Sequence, residues 1–158
     1  MKQLTIIVLI TLLNVSAMAK EIKTEIQINA KPEKIWILFT SFDNYSNWNP
    51  FIKLVNGEVI VGNKITVKIE PPEEKRMTFK PKVLTYETNK EVSWIGRLIF
   101  PGLFDGKHKF ELIDNGDGTT TFKQSENFKG ILVWMVNIEN TKKGFQAMNE
   151  KLKELAEL

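Results

Sequence analysis

The fold is decided by residues 107–128, which read KHKFELIDNGDGTTTFKQSENF. Two alternating runs flank Asn115–Gly118, and a glycine-rich turn between such runs predicts a β-hairpin. The turn sets the register, because strand side chains alternate between the two faces. The face without lysine then carries three opposed pairs, which are Leu112 with Phe122, Phe110 with Gln124, and His108 with Glu126.

A long helix is predicted downstream of this hairpin, over residues 131–158. Apolar side chains recur there every three or four residues, and lysine and glutamate fill the opposite side, as in an amphipathic helix. The stripe that would face the sheet consists of Trp134, Ile138, Thr141, Phe145, Met148, Leu152 and Leu155.

Strands are also predicted upstream of the hairpin, with one or two short helices after the first. The strand ranges are 21–29, 51–58, 64–70, 77–88 and 92–100, and the first short helix begins at Pro32. The hairpins expose one apolar face, and the C-terminal helix is the element long enough to cover it. The predicted fold class is therefore α+β, with a curved antiparallel sheet of about six to seven strands gripping a long C-terminal helix.

The N-terminus carries the pattern of an export signal. Lys2 precedes an apolar run from Leu4 to Val15, and Ala17-Met18-Ala19 then supplies the small residues of a cleavage site. We expect residues 1–19 to be a signal peptide, and residues 20–158 to form a single domain that is periplasmic or secreted. An uncleaved membrane anchor is the rival, although about twelve apolar residues fall short of the roughly 20 that a spanning helix needs.

Composition excludes several classes of site. The 158-residue chain has no cysteine and one histidine, so thiolate chemistry, iron–sulfur clusters and multi-histidine metal sites are ruled out. Its 22 basic and 19 acidic residues leave a formal net charge of +3, without the basic excess that marks a nucleic-acid-binding protein. We expect no cofactor and no nucleic-acid partner, and no feature of the sequence indicates an oligomeric state.

The order of elements, together with several short motifs, resembles the START-like superfamily, also called helix-grip or SRPBCC proteins, which includes polyketide cyclases and lipid-transport proteins. The resemblance covers residues 20–158 and points to a branch of unknown function. The motifs that carry it are Pro32–Trp36, Tyr45–Pro50, Val61-Gly62, Phe79–Leu84, Trp94–Gly96, Gly102–Phe110, Gln124, Glu126, Phe128 and Gly130–Leu132. It implies a cavity between the sheet and the C-terminal helix, and fold analogy alone gives no reaction.

Period-two and helical spacing then assign side chains to the walls of that implied cavity. The predicted ligand-binding residues are Trp48, Phe79, Val83, Trp94, Gly96, Leu98, His108, Phe110, Phe122, Gln124, Glu126, Trp134, Ile138, Thr141 and Phe145.

Two roles are possible for each of three parts of this predicted cavity. Gly96 either opens space for a ligand or bends a curved strand. Trp48 either gates the cavity or packs between helix and sheet. Residues 98–104 form either a lid or rim that touches lipid, or a buried strand end.

His108 and Glu126 are the ionisable residues assigned to the apolar face. Opposed side chains lie about 5 Å apart at Cβ, so we expect a hydrogen bond between them and a raised pKa of His108. Such a pair either orients a ligand and fixes the register, or performs acid–base catalysis. A metal site would need a third ligand that the pattern does not offer.

The sequence thus favours an exported domain that binds a hydrophobic small molecule, such as a lipid, an isoprenoid or an aromatic metabolite. Transient membrane contact through residues 98–104 belongs to the same hypothesis. The first alternative is an enzyme of polyketide cyclase or dehydrase type that uses His108 and Glu126 as its acid–base pair. The second is a protein-binding module whose cavity is filled by its own aromatic side chains.

Overall fold

A computed structural model describes residues 18–158 of the chain. The strands are β1 (Met18–Ile28), β2 (Ile52–Asn56), β3 (Thr66–Ile69), β4 (Met77–Phe79), β5 (Lys82–Glu87), β6 (Glu91–Arg97), β7 (Asp105–Asp114) and β8 (Thr120–Gly130). The α-helices are α1 (Pro32–Thr40), α2 (Tyr45–Trp48) and α3 (Ile138–Ala156), and 3-10 turns cover Phe42–Asn44 and Val133–Met135. In this part of the chain no helix is long and apolar enough to cross a bilayer. The predicted signal peptide lies outside the described residues, apart from Met18 and Ala19 in β1.

The strands form two antiparallel sheets, in the orders β1-β8-β7-β6-β5 and β2-β3-β4. The sheets join at β5, where a bridge pairs Lys64 with Lys82 and Val83 exchanges backbone hydrogen bonds with residues 62–63. Together they make one curved layer whose concave side receives α3. This arrangement confirms the predicted α+β helix-grip class.

The β7–β8 hairpin has the register that its turn predicts. His108 pairs with Glu126, Phe110 with Gln124 and Leu112 with Phe122. The turn is held by side-chain oxygens, because Asp114 Oδ1 accepts from Gly116 N at 2.9 Å and Asp117 Oδ1 accepts from Thr119 N at 3.0 Å. Gly116 has φ 78°, a left-handed conformation that glycine adopts without strain.

The C-terminal helix is shorter than predicted. It begins at Ile138, where Asn137 caps it by accepting from Asn140 N at 3.2 Å, and not at residue 131. The apolar run 131–135 mimics helical spacing, but its backbone has other partners. Ile131 N donates to Gly102 O at 3.2 Å and Leu132 N donates to Leu103 O at 3.0 Å, so this segment is tied to the β6–β7 loop.

The predicted strand over residues 77–88 is wrong as a single element. It divides at Pro81 into β4, which belongs to the smaller sheet, and β5, which belongs to the larger. Proline has no N–H to donate to a strand ladder, so a break there is expected. The hairpin between β5 and β6 is confirmed, with Val83 paired to Trp94.

Helix α1 closes one end of the concave face. The ring centroid of Phe39 lies 5.0 Å from that of Phe110 and 5.6 Å from that of Phe122. All three side chains are fully buried. The end of the sheet near the Asn115–Gly118 turn is therefore filled by protein. Any space for a ligand must lie at the opposite end, near the start of α3.

Candidate ligand cavity

A cavity of about 340 Å³ lies at that opposite end, between the two sheets and the first turn of α3. Its apolar wall consists of Phe51, Ile52, Val67, Ile69, Met77, Phe79, Pro81, Trp94, Leu98, Phe104, Phe128, Leu132, Met135 and Val136. Its polar side chains are Glu74, Arg97, His108, Glu126, Asn137 and Thr141. A mostly apolar wall with a few polar groups is typical of small-molecule sites.

Two glycines leave the space open. Gly96 and Gly106 are direct partners across β6 and β7, and both line the cavity. A Cβ on Gly106 would lie 3.1 Å from Glu126 Oε1, whereas a Cβ on Gly96 would meet nothing closer than Gly106 O at 3.9 Å. Space therefore lies beside Gly96, as the interpretation that this glycine leaves room for a ligand requires.

Seven of the fifteen residues predicted to bind ligand line this cavity. They are Phe79, Trp94, Gly96, Leu98, His108, Glu126 and Thr141.

Four other predicted residues lie in the packed core instead. Val83, Phe110, Phe122 and Phe145 are fully buried and do not reach the cavity. Phe39 of α1 covers Phe110 and Phe122 on the concave face, and Phe145 of α3 packs onto that face against His108. Gln124 is also buried and lies behind the wall, where it contacts His108.

Three aromatic or apolar residues were misplaced for other reasons. Trp48 packs edge-on against Tyr45 at 5.1 Å, so it belongs with the short helices and does not gate the cavity. Trp134 is 61% exposed, because the 3-10 turn directs it away from the sheet. Ile138 is half-buried at the start of α3 and lies outside the cavity wall.

The sequence analysis also missed part of the wall. Phe128 shares a face with Glu126 by period-two spacing, and this signal could have identified it. The residues from β2 and β3 could not be found this way, because their contact with the cavity depends on how the smaller sheet folds over the larger one.

A chain of buried polar side chains runs from the cavity to β1. His108 Nε2 lies 3.2 Å from Gln124 Oε1, and the Gln124 amide donates to Phe145 O at 3.3 Å and to Asn149 Oδ1. Asn149 Nδ2 then donates to Thr24 Oγ1 at 3.1 Å. Because every member has a partner, the chain fixes side-chain positions behind the wall.

This chain determines the tautomer of His108. Both hydrogens of the Gln124 amide are used by Phe145 and Asn149, so Gln124 Oε1 can only accept. His108 Nε2 must then donate to it, which leaves Nδ1 with a lone pair. That lone pair faces Glu126, whose Oε2 is 3.8 Å away.

The two predicted ionisable residues therefore face each other without the expected hydrogen bond, since 3.8 Å exceeds hydrogen-bonding distance. The prediction of a raised His108 pKa is also wrong. The imidazole stacks on the rings of Phe110 and Phe145, with ring centroids 4.1 Å and 4.6 Å apart. This burial lowers the pKa of His108 to about 3 despite the hydrogen bond to Gln124. Burial raises the pKa of Glu126 to about 8.

The protonation of the pair follows from these shifts. Near neutral pH the imidazole is uncharged and most Glu126 side chains are carboxylic acids. The proton that this pair can release near neutral pH is therefore on the Glu126 carboxyl, which lies on the cavity wall. Within residues 18–158 no group of three or more histidine, aspartate or glutamate side chains is placed to hold a metal ion.

Exposed apolar side chains lie in two segments that reach the cavity wall, residues 98–100 and residues 131–135. We call this set the apolar rim, and it consists of Leu98, Ile99, Phe100, Ile131, Trp134 and Met135. Ile99 is 85% exposed, and Leu98 and Met135 belong to both the rim and the cavity wall. The hydrogen bonds between residues 102–103 and 131–132 hold the two halves of the rim together.

A sheet curved around a C-terminal helix, with an apolar cavity between them, defines a helix-grip protein. The chain belongs to the polyketide cyclase/dehydrase and lipid transport family, whose sequence profile matches residues 19–157. This finding confirms the superfamily that the sequence motifs resemble.

Solved structures agree with this fold. Norcoclaurine synthase from Thalictrum flavum, solved with dopamine and hydroxybenzaldehyde, has a TM-score of 0.67 and 16% identity over 98% of this chain and 96% of that chain. A Chromobacterium violaceum protein has a TM-score of 0.66 and 19% identity over 87% and 97%. A Mesorhizobium loti protein has a TM-score of 0.64 and 22% identity over 86% and 96%. No curated protein sequence matches the chain.

Proposed function

We propose that this domain binds a hydrophobic small molecule, such as a lipid, an isoprenoid or an aromatic metabolite, in the cavity beside α3. The observation that carries the proposal is the open, largely apolar space of about 340 Å³ at the glycine pair Gly96–Gly106. Aromatic side chains fill the other end of the concave face and leave this end free, which disfavours a protein-binding module with a filled cavity. The family's description includes lipid transport, and the similar norcoclaurine synthase was solved with small aromatic molecules.

Two measurements test this proposal. Native mass spectrometry of the purified protein should show a co-purified apolar molecule that organic extraction removes. The extracted protein should then bind the uncharged fluorescent probe N-phenyl-1-naphthylamine at one site and release it when a tighter apolar ligand is added. Failure of the extracted, folded protein to bind the probe would contradict the proposal.

Enzymatic acid–base catalysis is the second candidate function. The observation that favours it is the presence of His108 and Glu126 side by side on the cavity wall. A cavity carboxyl whose pKa is raised to about 8 is an acid that can give up its proton near neutral pH, as general acid–base catalysis requires. Once a substrate is known, Glu126→Gln should lower turnover by on the order of 10²-fold while substrate binding persists. Unchanged turnover would leave only the binding function.

We further propose that the protein is exported after cleavage between Ala19 and Lys20. The apolar run and the small residues at 17 and 19 support cleavage there. Cleavage would remove Met18 and Ala19, two of the eleven paired residues of β1, so the strand would keep its pairing with β8 from Lys20 onward. N-terminal sequencing of the protein from the extracytoplasmic fraction tests this, and full-length protein held in the membrane would contradict it.

The apolar rim supports transient contact with a lipid bilayer. It continues into the cavity wall through Leu98 and Met135, so a ligand could pass between membrane and cavity without crossing water. Trp134→Ser combined with Ile99→Ser should reduce co-sedimentation with phosphatidylcholine vesicles. Ile37→Ser is the matched control, because Ile37 is 67% exposed but lies on α1, at the other end of the concave face. Equal loss in the control would contradict a specific role for the rim.

A further inference from the structure

The polar chain behind the cavity makes the Glu126 carboxyl an unusual group. Thr24, Asn149 and Gln124 are hydrogen-bonded in series, and they force His108 to point a lone pair at Glu126. A carboxylate facing that lone pair would place two acceptors against each other, with Glu126 Oε2 at 3.8 Å from His108 Nδ1. A carboxylic acid meets no such repulsion, so the geometry favours the protonated form. Burial acts in the same direction and raises the pKa of Glu126 to about 8.

The proton on this acid is free to serve a ligand. At 3.8 Å from Oε2, His108 Nδ1 is too distant to accept a hydrogen bond from Glu126. Gly106 leaves room for the carboxyl, because a Cβ there would lie 3.1 Å from Glu126 Oε1. The carboxyl therefore presents at the cavity wall an O–H donor that no side chain within residues 18–158 engages.

The other charged groups around the cavity have partners of their own. Lys20 on β1 donates to Val136 O at 3.3 Å. Arg97 on β6 forms a salt bridge with Asp105 on β7, in which Nε lies 3.4 Å from Oδ1. Glu74, in the loop before β4, accepts from Asn140 at 3.2 Å. Within residues 18–158, α3 contributes only uncharged side chains to the wall. Within residues 18–158 the cavity wall thus offers no unpaired cation to a ligand carboxylate.

We propose that Glu126 acts as an uncharged hydrogen-bond donor, and that the cavity selects apolar molecules carrying an uncharged acceptor, such as a ketone, aldehyde or ester carbonyl. Fatty carboxylates and alkylammonium ions of the same length should bind more weakly. This inference rests on the proposed binding function and specifies the ligand class for that site.

Displacement of N-phenyl-1-naphthylamine by 2-decanone, decanoate and decylamine tests this inference. 2-Decanone has a carbonyl acceptor and does not titrate, so any pH dependence of its binding comes from the protein. For the unmodified protein at about pH 6.5, 2-decanone should displace the probe at a lower concentration than the two charged compounds. Between about pH 6.5 and about pH 9.5, its affinity should fall about tenfold as Glu126 loses its proton.

Glu126→Gln provides the decisive comparison, because its amide donates a hydrogen bond at every pH. In this variant the affinity for 2-decanone should no longer change with pH. Infrared difference spectra of the unmodified protein should independently show a carboxylic-acid C=O band that disappears over the same pH range, and this readout does not depend on the variant folding. The inference is overturned if decanoate or decylamine binds best, if both proteins show the same pH dependence, or if the acid band is absent at about pH 6.5. If the probe itself does not bind, the proposed function fails and the inference fails with it.

Discussion

Gly96 on β6 and Gly106 on β7 face each other directly, and the pair marks the place where the concave sheet stops being filled by its own side chains. The two glycines differ in what surrounds them. A side chain at 106 would press on the Glu126 carboxyl, whereas one at 96 would enter free space. Gly96 is therefore the position at which the cavity can be filled with little effect on the fold.

Gly96→Phe should lower the affinity for N-phenyl-1-naphthylamine at least about tenfold, because the new ring occupies the ligand space. The melting temperature should change little. Ile95→Phe adds a similar ring on the opposite face of the same strand and should bind the probe normally. The opposite pattern, with unchanged probe binding and a loss of about 1–3 kcal/mol in the free energy of unfolding, would mean that the site is packed core.

Stability should pass through a plateau in mildly acidic solution. The folded state holds the Glu126 proton up to about pH 8, whereas an unfolded glutamate loses it near 4.5, so stability falls as the pH rises between these values. Folded His108 stays uncharged down to about pH 3, whereas an unfolded histidine gains its proton near 6.5, so stability rises with pH between these values. The opposing slopes cancel where the ranges overlap, between about pH 4.5 and pH 6.5.

Urea unfolding at several pH values measures both slopes, each at most about 1.4 kcal/mol per pH unit. Glu126→Gln should remove the decline above about pH 6.5, and His108→Gln should remove the rise below about pH 4.5. Glu150→Gln, at an exposed position of α3, is the control and should leave the plateau in place. A decline that persists in Glu126→Gln would show that another group causes it.

Gln124→Leu should destabilise the protein by at least about 2 kcal/mol, because it leaves His108 Nε2 and Asn149 Oδ1 buried without partners. Lys107→Leu makes a similar change on the outer face of the neighbouring strand and should alter the free energy of unfolding by less than about 0.5 kcal/mol. Denaturant unfolding compares the two. A small effect of Gln124→Leu would mean that the polar chain contributes little to stability.

Trp134 and Phe145 should differ sharply, although both belong to the predicted helical stripe. Phe145 is fully buried against His108 and Phe51, so Phe145→Ala should cost about 3–5 kcal/mol. Trp134 is 61% exposed on the 3-10 turn, and Trp134→Ala should cost less than about 1 kcal/mol. Similar costs, measured by thermal unfolding, would contradict the position of Trp134 outside the core.

Local patterns predicted the parts of this fold that local chemistry controls. The register of β7 and β8 follows from the Asn115–Gly118 turn, and it brings His108 opposite Glu126 as expected. The start of α3 was misjudged because residues 131–135 are apolar at helical spacing, while the N–H groups of Ile131 and Leu132 bind carbonyls about thirty residues earlier in the chain. Such long-range partners leave no trace in the local pattern.

The cavity was harder to predict than the face that contains it. Alternation places Phe110 and His108 on the same side of β7, but it does not show that Phe39 covers the first and that open space lies beside part of the second. The ionisation of His108 was misjudged for a related reason. Opposition to Glu126 suggested a hydrogen bond and a raised pKa of His108, whereas burial among aromatic rings makes desolvation the larger effect and lowers that pKa.

The hydrogen bonds from Ile131 and Leu132 to Gly102 and Leu103 have a consequence for the kinetics of ligand exchange. Parting this side of the mouth would break backbone hydrogen bonds, so it presents a high barrier to opening. The loop Pro71–Arg76 on the other side is joined to α3 through the side chains of Glu74 and Asn140. Residence time in the cavity should therefore depend on the β3–β4 loop, and Asn140→Ala should speed ligand release without changing the equilibrium selectivity of the inner wall.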